Sequence, residues 1–188
     1  MEVFLLSGKS GSGKDALANI MAQKLENAGC RTLILHFADL VKYYAKQYYG
    51  WDGEKDEEGR SLLQRIGTGI MRRYNQDYWA KIISEFIAAN NLYNEFQVAL
   101  IPDARFPNEI EVVQEYNPQA ITIRLERFNQ YGAPYVNPTF TTEQLQHASE
   151  ISLDRYGFFN YIVENRSEGL DDLDAAADLI LTDTGLLT

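Results

Sequence analysis

Val3-Phe4-Leu5-Leu6-Ser7-Gly8-Lys9-Ser10-Gly11-Ser12-Gly13-Lys14-Asp15 is the stretch on which the fold turns. A short apolar run enters a loop of the form G-x-x-x-x-G-K, and Leu17, Ile20, Met21 and Leu25 then recur at helical spacing until Gly29. Strand, glycine loop and helix in that order are the setting in which this pattern cradles phosphate. Glycines let successive backbone N–H groups turn toward phosphate oxygens without Cβ clashes. The helix adds the positive end of its dipole, and Lys14 a mobile charge for the β/γ-phosphates. By composition alone the pattern would arise roughly 0.03 times in this chain, so a bare Gly/Ser turn is the weaker reading. Gly8, Ser10, Gly11, Ser12, Gly13, Lys14 and Asp15 are the candidate nucleotide-binding residues, with Lys14 also catalytic. Asp15 stands where such loops usually carry Ser or Thr, so the usual hydroxyl ligand for Mg²⁺ is missing. Either its carboxylate holds the ion, directly or through water, or it caps the helix.

Outward from the loop, strand-like and helix-like segments alternate. Residues 32–37 are β-rich, 96–101 form a buried-type strand stopped by Pro102, and 120–125 and 161–163 read as further strands. Helical spacing covers 40–49, 61–74, 76–90, 108–116 and 170–181. Residues 128–142, with Gly132, Pro134, Pro138 and several aromatics, read as a loop or flap. The alternation implies βαβ units, hence an α/β three-layer fold with a mostly parallel central sheet. The helical stretch between the second and third strands is too long for one crossover. The expectation is one domain over 1–188: a core of about 1–38, 95–126 and 160–188, a helical substrate-binding lobe of about 39–94, and a lid of about 127–150.

The 188 residues carry a net charge of −10, which argues against a nucleic-acid polymer as partner. That charge is local. Residues 52–58 hold five acids and Lys55, residues 164–183 hold seven acids and Arg166, and together they account for all of it. Between them, Gly59 to Gln76 contains Arg60, Arg65, Arg72 and Arg73 and no acid. No apolar run approaches a membrane span, the start does not read as a signal peptide, and the lone Cys30 fits a reducing compartment. The expected location is the cytoplasm.

Further candidates follow from position. Asp103 ends an apolar strand, where an acid can hold Mg²⁺ through water or simply serve a turn. Arg105 follows two residues later. Arg65, Arg72 and Arg105 are candidates for an acceptor phosphate, because guanidinium forks match phosphate oxygens; Arg73 reads as solvated. Asp39 could accept a hydrogen bond from substrate or cap a helix. The tyrosines at 43, 44, 48 and 49 either stack on a base or pack the core.

With these residues in place, the chain resembles phage-type deoxynucleoside monophosphate kinases of the P-loop kinase superfamily. The likeness rests on residues 8–15, on Leu63-Gln64-Arg65-Ile66-Gly67-Thr68-Gly69 with Asp77-Tyr78-Trp79, on Asp103-Ala104-Arg105-Phe106-Pro107-Asn108-Glu109, and on His147-Ala148-Ser149-Glu150 with Leu153-Asp154. It implies a P-loop NTPase fold of nucleoside-monophosphate-kinase type, with ATP and Mg²⁺ as cofactors, a dNMP as acceptor and the diphosphate as product. It makes the Lys14-Asp15 pair a family trait, and Asp15 and Asp103 the metal candidates. It also implies a lid over 128–146, with Arg124 or Arg127 reaching the transferred group, and Trp79, His147 and Glu150 at the substrate. A homodimer is implied as well, although no patch in the sequence speaks for one. Rival readings are a P-loop kinase for another small acceptor, such as phosphomevalonate or dephospho-coenzyme A, and a nucleotide-switch protein.

Overall fold

A computed structural model describes residues 1–187. The chain runs β1 (Glu2–Gly8), α1 (Lys14–Asn27), β2 (Thr32–Ile34), α2 (Phe37–Tyr49), α3 (Glu57–Gln64), a π-helical segment (Arg65–Met71), α4 (Arg72–Tyr74), α5 (Tyr78–Tyr93), β3 (Val98–Ala104), α6 (Pro107–Tyr116), β4 (Ile121–Arg127), α7 (Thr142–Leu145), α8 (Ala148–Ile151), β5 (Tyr161–Asn165) and α9 (Asp171–Asp183). The strands form one parallel sheet in the order β2-β3-β1-β4-β5.

Alternation along β1 separates the two faces. Val3 and Leu5 join α2, α5 and α6 in one buried cluster, whereas Phe4 and Leu6 join α1 and α9 in the other. A parallel sheet needs this cover on both faces, which is why its strands read as nearly continuous apolar runs. The phosphate loop therefore leaves the carboxyl edge of the central strand, where α/β sheets open their ligand crevice.

Two strand boundaries depart from the expected ones for physical reasons. The third strand does not stop at Pro102: it continues to Ala104, and its register against β1 shifts between Leu5↔Ile101 and Ser7↔Ala104. Two residues of β1 thus face three of β3. A proline is tolerated in such a bulge because the extra residue makes no ladder hydrogen bond. The second strand ends at Ile34 rather than residue 37, since the N–H groups of Phe37 and Ala38 turn to donate to Asp103 (2.9 Å each) and begin α2. The expected helix over 61–74 begins four residues earlier and passes through a π-helical stretch. Asp56 caps it by accepting from Gly59 N (2.8 Å), with Glu57 and Glu58 in the first turn. Part of the 52–58 acidic run is therefore an N-terminal cap. Residues 128–141 hold no helix or strand, only a single bridge from Phe128 to Pro134.

Candidate active site

The phosphate loop is shaped by Gly11 (φ 78°) and Gly13 (φ 105°), backbone conformations that a side chain would strain. Gly13 is the N-terminal cap of α1 and makes no side-chain cap bond. Asp15 lies inside the first turn, so the helix-cap reading of Asp15 is excluded. Its Oδ1 instead sits 3.0 Å from His36 Nε2. That hydrogen bond holds the Asp15 carboxyl below its ordinary pKa and raises that of the His36 imidazole. The Lys14 ammonium donates to the Lys9 carbonyl (2.8 Å) and to Ser12 Oγ (3.4 Å). Only 5% of Lys14 is exposed. Burial, with nearby Arg105 adding to it, lowers the amine to about 7.

Asp103 is spent first on structure, since both of its oxygens accept the opening N–H groups of α2. Burial raises its pKa, against the pull of those two bonds and of His36. It nevertheless lines the cleft beside Lys14 and Asp15. Asp15 and Asp103 offer hard oxygen donors next to the loop, and no group of three or more His, Cys, Asp or Glu able to hold a metal exists among the described residues. Mg²⁺ typically keeps several waters and is held by one or two carboxylates plus substrate phosphates. The donor set fits that habit.

Two arginines reach the same cleft from different elements. Arg105, just past β3, donates from Nη1 to the Gly8 carbonyl (3.1 Å) and to Glu150 Oε1 (2.7 Å). Glu150, on α8, uses its other oxygen to accept the Ser10 N–H (2.9 Å). Arg72, on α4, pairs with Glu109 and donates to the Gln76 carbonyl (3.0 Å), and its guanidinium lies 4.0 Å from the centre of the Phe106 ring. The cleft has a volume of about 410 Å³. Its lining includes Ser10, Gly11 and Lys14 of the loop, the arginines Arg60, Arg72 and Arg105, and the apolar side chains of Val41, Leu63 and Trp79. Trp79 is buried and donates to the Gly67 carbonyl of the π-helical segment (3.0 Å).

The remaining candidates fall elsewhere. Arg65 does not line the cleft; its guanidinium lies 5.8 Å from the Tyr49 ring centre. Arg60, not singled out from sequence, takes that place, donating to Thr139 Oγ1 (3.2 Å) with its guanidinium 5.1 Å from the centre of the Phe140 ring. It thereby ties α3 to the flap. Asp39 is the third residue of α2, accepts from His36 N (3.2 Å), pairs with Lys42 (2.9 Å) and stays outside the cleft wall. That is a capping role. His147 caps α8 by accepting the Ser149 N–H (3.2 Å), and it too lies off the cleft wall. Burial lowers its pKa. Arg127 donates to the Gly11 carbonyl (2.9 Å) and lies 4.4 Å from the Tyr135 ring centre. Together with Arg124, which pairs with Asp154 (3.0 Å), it lines an adjoining cavity of about 260 Å³ instead of the main cleft.

The flap rests on the loop. Asn137 Nδ2 donates to Ser10 Oγ (3.1 Å), and a Cβ added to Gly11 would meet the Tyr135 ring at 2.9 Å. His36, Arg60, Glu109 and Asp154 were not assigned roles from sequence. Glu109 could have been flagged by its capping-box spacing, and His36 by its place directly after a strand facing the loop.

No protein-family model matches the sequence, and no curated protein matches it. Solved structures do. The chain aligns over its whole length with a sugar kinase from Janibacter sp. HTCC2649 (TM-score 0.57, 15% identity, 99% of that chain covered). Shikimate kinase from Aquifex aeolicus is similar over 100% of both chains (TM-score 0.52, 13% identity). The tunicamycin resistance protein of Deinococcus radiodurans aligns with 99% of this chain and 96% of its own (TM-score 0.56, 14% identity). This chain has the P-loop kinase fold. At such identities the likeness speaks for architecture alone, and chemistry has to be argued from the cleft.

Proposed function

We propose that the protein transfers the γ-phosphoryl group of ATP to the phosphate of a small monophosphate, with a deoxynucleoside 5′-monophosphate as the preferred acceptor. The observation that carries this reading is one cleft lined at once by the glycine loop, three arginines and apolar side chains. A nucleotide switch needs the first of these but not further arginines and apolar side chains in the same cleft. The arginines suit an anionic acceptor, and Val41, Leu63 and Trp79 offer its base apolar contact.

An acceptor phosphate is already anionic, so its oxygen attacks the γ-phosphorus in line while the bond to ADP breaks, and no strong general base is required. Catalysis then rests on alignment, charge neutralisation and exclusion of water. Lys14 neutralises the phosphate oxygens of the donor, Arg72 and Arg105 hold the acceptor, and the flap residues Tyr135 and Asn137 cover the loop. Mg²⁺, held by Asp15 and Asp103 through water, would supply further charge on the triphosphate. The motifs in residues 8–15, 63–69, 103–109 and 147–154 support the deoxynucleotide choice.

One observation favours a second reading. A hydroxyl acceptor needs a base, and His36 lines the cleft with Asp15 bonded to it. Dephospho-coenzyme A, shikimate and simple sugars would be such acceptors. A panel of labelled-ATP transfers to deoxynucleoside and nucleoside monophosphates, phosphomevalonate and these hydroxyl compounds separates the readings. Transfer to a dNMP at the highest kcat/KM is the expected result. Transfer only to a hydroxyl acceptor, or to none, overturns the proposal.

A further inference from the structure

We infer that Glu109 is a positioning residue: its single carboxylate fixes Arg72 and Arg105 relative to one another, so that the two guanidinium groups act as one clamp on the acceptor phosphate. The inference rests on the phosphate-acceptor reading above and adds a residue to it.

Glu109 is the third residue of α6 and is only 2% exposed. Its Oε2 accepts the backbone N–H of Arg105 (2.6 Å) and of Phe106 (2.9 Å), which sets where the chain turns from β3 into α6. Its Oε1 pairs with the Arg72 guanidinium, reaching across from α4. The ring of Phe106, whose backbone N–H the same carboxylate accepts, lies under that guanidinium with its centre 4.0 Å away. Asn108 completes the seam, donating to the Gln76 carbonyl (2.9 Å) and to Asp77 Oδ1 (3.0 Å). Residues 72–77 are thus fastened to residues 105–109, and one buried acid sets both the Arg72 guanidinium and the backbone from which Arg105 projects.

A helix cap alone would need only the Oε2 half of this arrangement. A glutamine could supply that half through its amide oxygen, but its NH₂ would then face the Arg72 donors. Leaving Arg72 without its buried partner is the costly part, because an unpaired buried charge loses both its Coulomb partner and its hydration. Capping and positioning therefore respond differently to Glu109→Gln.

The test is steady-state kinetics on the whole chain for wild type, Glu109→Gln, Arg72→Lys and the double variant, with the best dNMP acceptor and ATP, alongside thermal melts. Positioning predicts a KM for the acceptor raised tenfold or more in Glu109→Gln, with the KM for ATP within about twofold of wild type. It also predicts a double variant no worse than Arg72→Lys alone, because the second change acts on a group already lost. Acceptor and ATP constants that rise together, single effects that multiply in the double variant, or an unchanged acceptor KM would each overturn it. If Glu109→Gln fails to fold, Glu109→Asp keeps the charge one methylene shorter, and a selective rise in acceptor KM is again expected; its absence overturns the inference. A wild type that phosphorylates no monophosphate refutes the function but not the clamp. Calorimetric titration with inorganic phosphate, the loop saturated by a non-hydrolysable ATP analogue, then decides: binding at least fivefold weaker in Glu109→Gln supports the clamp, and equal binding removes it.

Discussion

Glu150 Oε2 accepts the Ser10 N–H at 2.9 Å while Oε1 takes Arg105 at 2.7 Å, so a side chain beyond the flap is built into the phosphate loop. Lys9 and Asp154 add a second tie four residues further on, just past α8, at 2.7 Å. Arg105 makes these contacts, with the Gly8 and Ser149 carbonyls beside Glu150, through one terminal nitrogen, and among the described residues its Nε and Nη2 carry no hydrogen bond. Glu150→Ala should cut both the tie and the anchor. A fall in kcat/KM on the order of tenfold or more is expected, since small misplacements at a reacting centre are amplified in rate. Amide hydrogen exchange over residues 148–154 should rise in parallel. Unchanged exchange and rate would show that the contact carries no load.

Lys14 provides a second prediction. Its folded pKa, about 7, lies below the unfolded value of 10.5. Between these values the unfolded chain binds more protons, so the free protein is more stable at the upper end, and this contribution is lost as pH falls toward 7. Lys14→Met should therefore melt higher than wild type near neutral pH, by on the order of 2–4 °C for each kcal/mol relieved, while losing turnover. A triphosphate that draws the amine back to its charged form should also take up a proton near pH 8. Calorimetry in buffers of different ionisation enthalpy reads that uptake directly, and Lys14→Met should lack it.

Asp15 and His36 hold each other's charge state. Asp15→Asn removes the carboxylate charge from the hydrogen bond that is the main cause of the raised His36 pKa, so the imidazole should titrate lower, as followed by its NMR shifts. Under the phosphate-acceptor reading, dependence on added Mg²⁺ should also shift to higher concentration. An unmoved His36 titration would mean the pair is not formed in solution.

Gly59 offers a test of the acidic loop. A Cβ there would meet the Glu54 carbonyl oxygen at 2.1 Å and Trp51 Nε1 at 2.8 Å, and the first of these is backbone. Gly59→Ala should destabilise by about 1–3 kcal/mol through overpacking, measured as a lower urea midpoint at unchanged slope. Helix propensity alone would favour alanine, so the sign of the change separates the two effects.

Much of the architecture is legible in residue types. The loop of residues 8–15 and the apolar runs of β1, β3 and β4 are local signals, and they place a phosphate loop on a covered parallel sheet. Arg72, Arg105, Trp79 and Glu150 line the cleft beside the glycine loop. What was not legible depends on partners distant in sequence. Arg60 rather than Arg65 faces the cleft, and spacing within a helix that changes to π-helical geometry at Arg65 cannot tell which. Asp39 and His147 have local capping duties, and a cap and a ligand look alike as single letters. Pro102 reads in sequence as a stop because proline cannot donate to a ladder, yet the bulge asks no donor of it.

That bulge carries a consequence of length rather than of chemistry. β3 spends one residue more than β1 between its last regular pair and Ala104, and Asp103, Arg105 and Glu109 are all counted from there. Deleting a single residue at Pro102 would let the strands pair without interruption. The alternation would then turn the Asp103 side chain to the opposite face of the sheet, away from the N–H groups of Phe37 and Ala38. All the site's residues would survive in such a chain, and the cleft would be gone.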